Sequence, residues 1–223
     1  PPMSARRQRQ MCIRDSVYST AVASSMIEAG IAQRALVIGA EKLHFLMDYH
    51  DRNHCILFGD GAGAAIYEAR ADGSGVLAND LGADGKAGQA MVSPVLGTRG
   101  QLDRPRDPAI DRFHFEGQTV FKHAVRGMEG SVRRTLDEAG LSVGDVDLVV
   151  PHHANLRIIE ATCNRLGVPM EKVVLNIADH GNTSAASIPM AMNDALADGR
   201  VQPGATVLSL IHISEPTRRP IIS

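Results

Sequence analysis

Two short runs hold the side chains best suited to carbonyl chemistry. The first is Pro151-His152-His153-Ala154-Asn155, which follows the strand-like stretch from Asp147 to Pro151. The second is Gly181-Asn182-Thr183-Ser184, just ahead of a helical pattern over 184–198. Taken singly, each has an ordinary structural explanation. His152 reads as a buried histidine with its nitrogens satisfied, and the Asn-Thr-Ser run reads as a helix cap with a tight turn. Taken together they mean more. Both lie in strand-to-helix loops about one unit apart, and a parallel sheet places such loops side by side at its C-terminal edge. An imidazole N–H and a carboxamide NH2 would then point at one oxygen. Two neutral donors aimed together stabilise a developing enolate or oxyanion, which predicts carbonyl polarisation in place of proton shuttling.

Other candidates carry less. Phe58-Gly59-Asp60-Gly61-Ala62-Gly63-Ala64 superficially resembles a phosphate loop, but such a loop needs a helix after its glycines. Here the strand-like Ala65-Ile66-Tyr67 follows, so the glycines predict close backbone packing. Cys12, Cys55 and Cys163 are far apart with no CxxC pair, which points to a reducing compartment, with neither a disulfide framework nor a zinc site. His152 and His153 are adjacent and would diverge in a strand, so no metal site is expected.

The elements that must position these groups follow from periodicity. A helix over 18–29 would put Val22, Met26 and Ala29 on its packing face and stop at Gly30. Short strands are expected at Ala35–Ala40, Ile56–Phe58, Ala64–Tyr67, Val76–Ala78, Asp147–Pro151, Val173–Asn176 and Thr206–Leu210. Residues 79–112, rich in Gly, Pro, Asp and Arg, form a long connection. The longest helix, 117–139, carries Phe121, Val125, Met128, Val132 and Leu136 on one stripe and ends at Gly140. A helix over 155–166 aligns Ile158, Thr162 and Leu166, and one over 184–198 aligns Ile188, Met192 and Leu196. Alternating strands and helices predict an α/β fold with mostly parallel pairing.

Composition narrows the class. The chain has 223 residues, 44% of them hydrophobic, and a formal net charge of −2. A sizeable core can form, and nothing in the charge balance favours nucleic acid. Aromatic content of 4% with no Trp excludes a base-stacking platform. There is no membrane-length apolar run and no signal-peptide pattern, so a cytoplasmic location is expected.

The runs ALVIGAEKL, DRNHCILFGDGAGAA, GQTVFKHAV, VPHHANLRIIEATCNRLG, GNTSAASIPMAM and GATVLSL occur in this order. Together they resemble the β-ketoacyl-acyl-carrier-protein synthase III family of thiolase-fold condensing enzymes, over about residues 17–210. The resemblance implies an incomplete thiolase-like layered αβαβα architecture. Residues 17–111 would be the C-terminal part of the N-terminal half, and 112–210 the C-terminal half. It implies His152 and Asn182 as two members of a Cys-His-Asn triad that condenses acyl-CoA with malonyl-carrier protein to start fatty-acid synthesis. It further implies Arg52 as a contact to the CoA adenine, and His153, Ala154, Asn155, Leu156 and Arg157 as the carrier-protein-binding stretch. Family members more often have Gln at position 153. Lys122, Arg157 and Arg165 would offer a basic face to an acidic carrier protein, with Arg157 the clearest of the three. The resemblance implies acyl-CoA as substrate, no other cofactor, and a homodimer for the intact enzyme.

Two departures are expected to matter. The family's cysteine position falls on Ile13, and Cys12 lies one residue away in a context unlike the family's, so Cys12 is not assigned as nucleophile. The family's Gly-rich segment after the last strand is replaced from Ile211 onward. Residues 1–16 and 211–223 change character abruptly and resemble translated sequencing adapter, so both read as non-native. The chain as it stands is expected to be inactive. Two alternatives stay open: a related condensing enzyme of secondary metabolism, and a non-catalytic thiolase-fold protein that binds carrier protein.

Overall fold

Small residues, glycine stops and apolar stripes divide the described residues into eleven helices and strands. The structure is a computed structural model that describes residues 16–44, 47, 49, 52, 55–82, 90–92 and 114–211. Helix α1 (Ser16–Glu28) is followed by Gly30, whose φ of +71° closes the turn into strand β1 (Arg34–Lys42). Strand β2 (Asp60–Glu68) pairs with β1 in antiparallel register from Arg34↔Glu68 to Lys42↔Asp60. Strands β3 (Met91–Val92) and β4 (His114–Phe115) form a small antiparallel pair.

Helix α2 (Gly117–Ala139) ends on the left-handed Gly140, φ +67°. Strand β5 (Leu148–Pro151) leads to helix α3 (Leu156–Leu166), which ends on Gly167, φ +73°. The short helix α4 (Ile177–His180) precedes helix α5 (Ser187–Ala197), and strand β6 (Val207–Leu210) pairs with β5 in parallel. Val173 adds a parallel bridge to Val149 on the other side of β5.

The core shows how these elements stack. Val149 and Leu208 face Val125, Met128 and Val132 of α2 and Ile158, Ile159 and Cys163 of α3. Leu148 and Val150, on the opposite face of β5, pack on Ile188, Ala191 and Ala195 of α5, with Val17 of α1 beside them. Helix α5 also packs against β2, and α1 against β1. The described layers therefore run helix, sheet, helix, sheet, from α2/α3 through β5/β6 and α5/α1 to β1/β2. That is the α/β layering expected from the sequence.

Several sequence expectations change, and the strand expected at Val173–Asn176 is reduced to a single bridge at Val173. Pairing is parallel around β5 but antiparallel between β1 and β2. Residues 56–58 form a turn ending in a single bridge at Phe58, and 76–78 form no strand. Helix α1 buries Ala21, Ala23 and Ser24, while Val22 and Met26 are 58% and 40% exposed. Small side chains let the helix approach β1 closely, which turns the bulkier stripe away. On α5, Ala191 and Ala195 are the fully buried positions and Leu196 is exposed, for the same reason.

Candidate active site

His152 is the first residue after β5, and its backbone N–H donates to the carbonyl of Leu210 at the end of β6 (2.7 Å). Its ring is buried, and Nδ1 lies 2.6 Å from the hydroxyl oxygen of Ser187 at the start of α5. The Ser187 hydroxyl is also 2.8 Å from the carbonyl oxygen of Ser184.

Asn182 is held from both sides. Its backbone N–H donates to the carbonyl of Leu57 and its carbonyl accepts from the N–H of Gly59, both at 2.9 Å, so it forms a parallel bridge with Phe58. Its side-chain oxygen accepts from the backbone N–H of Ser184 at 2.9 Å. With Oδ1 occupied in that way, the amide nitrogen carries the donors and points to the other side of the group. His152 and Asn182 are thus linked through Ser187 and Ser184 in one buried hydrogen-bonded chain.

Backbone geometry makes this loop unusual. Ser184 has φ +50°, the only described non-glycine residue with positive φ. Such a conformation persists where surrounding contacts over-determine it, and it clusters at functional sites. Here the contacts come from β1. The half-buried Glu41 carboxyl lies near the backbone N–H of Ala185 and the hydroxyl of Ser184, which favour its charged form. Burial pushes the Glu41 carboxyl above the ordinary glutamate range, and those two neighbours pull part of the way back.

The glycine run is the floor beneath the loop. A Cβ on Gly59 would lie 2.0 Å from the His180 carbonyl oxygen, on Gly61 2.6 Å from Met190 Sδ, and on Gly63 2.9 Å from Pro189 Cβ. On β1, a Cβ on Gly39 would lie 2.3 Å from the Ala185 carbonyl oxygen. The run opens strand β2, with no helix after it. It serves close approach between the β1/β2 sheet and the Asn182 loop, as expected.

The other sequence candidates disperse. His153 has no exposed surface. Its Nε2 donates to the Val174 carbonyl (3.0 Å), and its Nδ1 is buried without a partner. The expectation that His153 meets a carrier protein is corrected: in a strand-like backbone adjacent side chains diverge, and this one diverges into the core. Burial pushes its pKa down, helped by His180 and opposed by the Val174 carbonyl and Asp194. Ala154 is half-buried, and Asn155 caps α3 by accepting from the Arg157 N–H (2.9 Å), while Leu156 and Arg157 are exposed. Lys122 is exposed on α2, and Arg165 is engaged with Glu129, which also pairs with Arg133. Arg52 is exposed, in a turn far along the chain from the histidine loop.

Cys163 is buried in the core and its thiol is pushed up by burial, which suits packing and not nucleophilic attack. Cys12 and Ile13 lie outside the described residues. Among the described residues, no group of three His, Cys, Asp or Glu could hold a metal ion, and no helix is long and apolar enough to cross a membrane. Two contributors escaped the sequence reading. Ser187 looks like any helix-start serine, and Glu41 like any strand-end acid.

Comparison with known proteins bears on the family of the chain. Residues 15–85 match the family model described as 3-oxoacyl-[acyl-carrier-protein (ACP)] synthase III, and residues 136–211 match the model of its C-terminal part. A β-ketoacyl-[acyl-carrier-protein] synthase III of Paracoccus denitrificans is 48% identical over 198 residues, covering 84% of this chain and 58% of that protein. The crystal structure of 3-oxoacyl-[acyl-carrier-protein] synthase III from Aquifex aeolicus superposes with a TM-score of 0.80 at 39% identity, covering 91% of this chain and 61% of that one. The priming β-ketosynthase of the R1128 polyketide pathway superposes with a TM-score of 0.79 at 32% identity, covering 93% and 65%. The chain spans about six tenths of the length of these relatives.

Proposed function

The chain belongs to the 3-oxoacyl-[acyl-carrier-protein] synthase III family, and on that footing we propose that it carries the His and Asn part of a decarboxylating condensation site. The observation that supports this reading is the single buried chain of contacts from His152 through Ser187 and Ser184 to Asn182. It ties two donor-bearing side chains from separate loops to one place at the edge of the β5/β6 sheet.

The proposed chemistry follows from what those donors can do. Malonyl thioester bound at the site loses CO2 as its C–C bond breaks, and the electron pair passes to the thioester oxygen as an enolate. His152 Nε2–H and Asn182 Nδ2–H donate to that oxygen, where charge appears only in the transition state. The enolate carbon then attacks an acyl thioester on a cysteine, and the cysteine thiolate leaves. Neither donor needs to give up its proton. In the intact protein that cysteine would occupy the position now held by Ile13, outside the described residues.

The remaining parts of the reading are acyl-CoA as acyl donor, with Arg52 at its adenine end, and acyl carrier protein as the malonyl donor. Of the stretch 153–157, Leu156 and Arg157 are the side chains exposed to meet that partner. We read 17–111 and 112–210 as portions of the two thiolase halves, and the intact enzyme as a cytoplasmic homodimer. A condensing enzyme of secondary metabolism is the second reading, favoured by the similarity to the R1128 priming ketosynthase.

The test is a protein made from the uninterrupted reading frame, given malonyl-carrier protein and a panel of acyl-CoA donors. Condensation with a short acyl-CoA is expected, and Asn182→Ala should lower kcat by roughly 100- to 1,000-fold. Turnover only with polyketide-type starters would favour the second reading. No turnover with any donor would overturn both. The 223-residue chain itself is expected to show no condensation.

A further inference from the structure

Ser184 is held left-handed beside Asn182, and both of its backbone polar groups are in use. Its N–H donates to Asn182 Oδ1 at 2.9 Å. Its carbonyl accepts from the Ser187 hydroxyl at 2.8 Å and from the Ser187 N–H. The φ of +50° sets the angle between that N–H and that carbonyl, so a turn to negative φ would break one side of the arrangement. The side toward Asn182 matters for the chemistry. A carboxamide released from Ser184 can invert, and it then presents Oδ1, an acceptor, where Nδ2 was.

A serine Cβ is crowded in the left-handed region, where a glycine would sit freely. Support must therefore come from outside the loop. Strand β1 is placed to give it. Gly39 meets the loop so closely that a Cβ on it would stand 2.3 Å from the Ala185 carbonyl oxygen and 3.0 Å from the Ala186 nitrogen. Side chains alternate along a strand, so Glu41, two residues on, leaves β1 on that same face. Its carboxyl is half-buried, while Ala40 and Lys42 on the other face are exposed. The Ser184 hydroxyl and the Ala185 N–H lie near it. A carboxylate is acceptor-only, with two oxygens, and so is suited to two donors on adjacent residues.

We propose that Glu41 is a positioning residue: its carboxylate accepts from the Ser184 hydroxyl, keeps Ser184 left-handed, and through the Ser184 N–H keeps Asn182 Nδ2 turned toward the site. The inference rests on the reading of Asn182 as a donor to a thioester oxygen. It adds what prevents the carboxamide from inverting, and it places that control on the β1/β2 sheet, across the layer boundary from the loop itself.

The experiment is nitrogen-15 NMR of the chain labelled at asparagine, with the Asn182 NH2 pair assigned by its loss in Asn182→Asp. The orientation is read without substrate. In the unaltered chain the pair should be sharp and displaced from the position of free asparagine. Glu41→Ala should return it to the free position, and Ser184→Ala, which removes only the hydroxyl, should do the same. Glu41→Gln keeps a side-chain oxygen and should keep the displacement. The double variant Glu41→Ala/Ser184→Gly should recover it, because glycine reaches the left-handed conformation unaided. A role in stability alone would lower the denaturation midpoint of Glu41→Ala and leave the pair where it was, which overturns the proposal. An unmoved pair in Ser184→Ala overturns it as well, and decides the matter where Glu41→Ala does not fold. Equal displacement lost in Glu41→Gln and Glu41→Ala also overturns it, since an acceptor at 41 is then not what the loop needs. No turnover enters these readings, so they stand apart from the condensation test. A pair that responds as expected in a full-length protein without activity would sink the catalytic reading alone.

Discussion

A Cβ placed on Gly59 would sit 2.0 Å from the carbonyl oxygen of His180. That single approach sets how closely the first turn of the glycine run meets the loop carrying Asn182, because the Gly59 N–H also donates to the Asn182 carbonyl. The obstacle is backbone and cannot rotate aside. Gly59→Ala should therefore cost about 1–3 kcal/mol, the usual cost of overpacking a filled site. A urea denaturation midpoint below that of the unaltered chain is the expected result, and an unchanged midpoint would show that the loop yields freely. Gly130→Ala supplies the contrast. Its Cβ meets only the flexible end of Arg134 within α2, so replacing a helical glycine should gain roughly 0.5–1 kcal/mol in the same experiment.

The positive φ of Ser184 makes a second prediction. Glu41 lies near the Ser184 hydroxyl and the Ala185 N–H, and both serine and alanine are buried. Glu41→Ala removes a polar neighbour of two buried donors and should destabilise by about 1–3 kcal/mol. Glu41→Gln keeps a carbonyl oxygen and should lose clearly less. Equal losses for the two variants, read from denaturation midpoints, would show that the charge and not the acceptor geometry holds the loop.

What could be read from the sequence divides along physical lines. Helix α2 was legible end to end, because its stripe repeats every three or four positions and Gly140 takes the left-handed conformation the stop requires. Helix α3 was equally plain from Ile158, Thr162, Leu166 and Gly167. The His152 loop was legible as the exit of strand β5, but the loop of Asn182 was not: the strand expected at Val173–Asn176 is a single bridge at Val173, and Asn182 follows helix α4 and bridges to Phe58. The failures share one cause. Burial of α1 through Ala21, Ala23 and Ser24, and of α5 through Ala191 and Ala195, follows from which neighbour lies how close, and periodicity of large residues carries no such information. The inward turn of His153 and the contact between Ser187 and His152 are likewise tertiary facts, joining positions 21 and 35 apart in the chain.

His153 predicts a pH dependence. Its folded pKa is pushed below the ordinary histidine value of 6.5, mainly by burial. The unfolded chain therefore binds a proton more readily than the folded one. Stability should be at its full value above about pH 6.5 and fall as the pH drops from there toward the lowered folded pKa. Glu41 works in the opposite sense, since its raised pKa favours the folded state as pH falls. Its window starts at the ordinary glutamate value of 4.5 and extends upward from there. The loss of stability between pH 7.5 and 5.5 should be smaller in His153→Gln, which cannot ionise, than in the unaltered chain. An equal pH difference in both proteins would place the effect elsewhere.

The outer face of the β1/β2 sheet predicts how the chain behaves in solution. Side chains alternate across a strand, and in this register Leu36 lies opposite Ile66 and Ile38 opposite Ala64. The inward positions Val37, Gly39, Gly61 and Gly63 meet the α5 side of the fold. The outward Leu36, Ile38 and Ile66 are 60%, 61% and 72% exposed, and no described helix covers them. The layer order helix, sheet, helix, sheet therefore ends on an apolar sheet face. A contiguous apolar surface of this kind drives association of soluble proteins. The chain should show apparent mass rising with concentration in light scattering and should bind a hydrophobic dye. Replacing Ile66 with Lys puts a charge at the most exposed of the three positions, on the face opposite the candidate site. Ile66→Lys should lower the apparent mass at a given concentration and leave the circular dichroism unchanged. Association that persists unaltered in Ile66→Lys would assign it to another surface, such as the exposed Val22 and Met26 of α1.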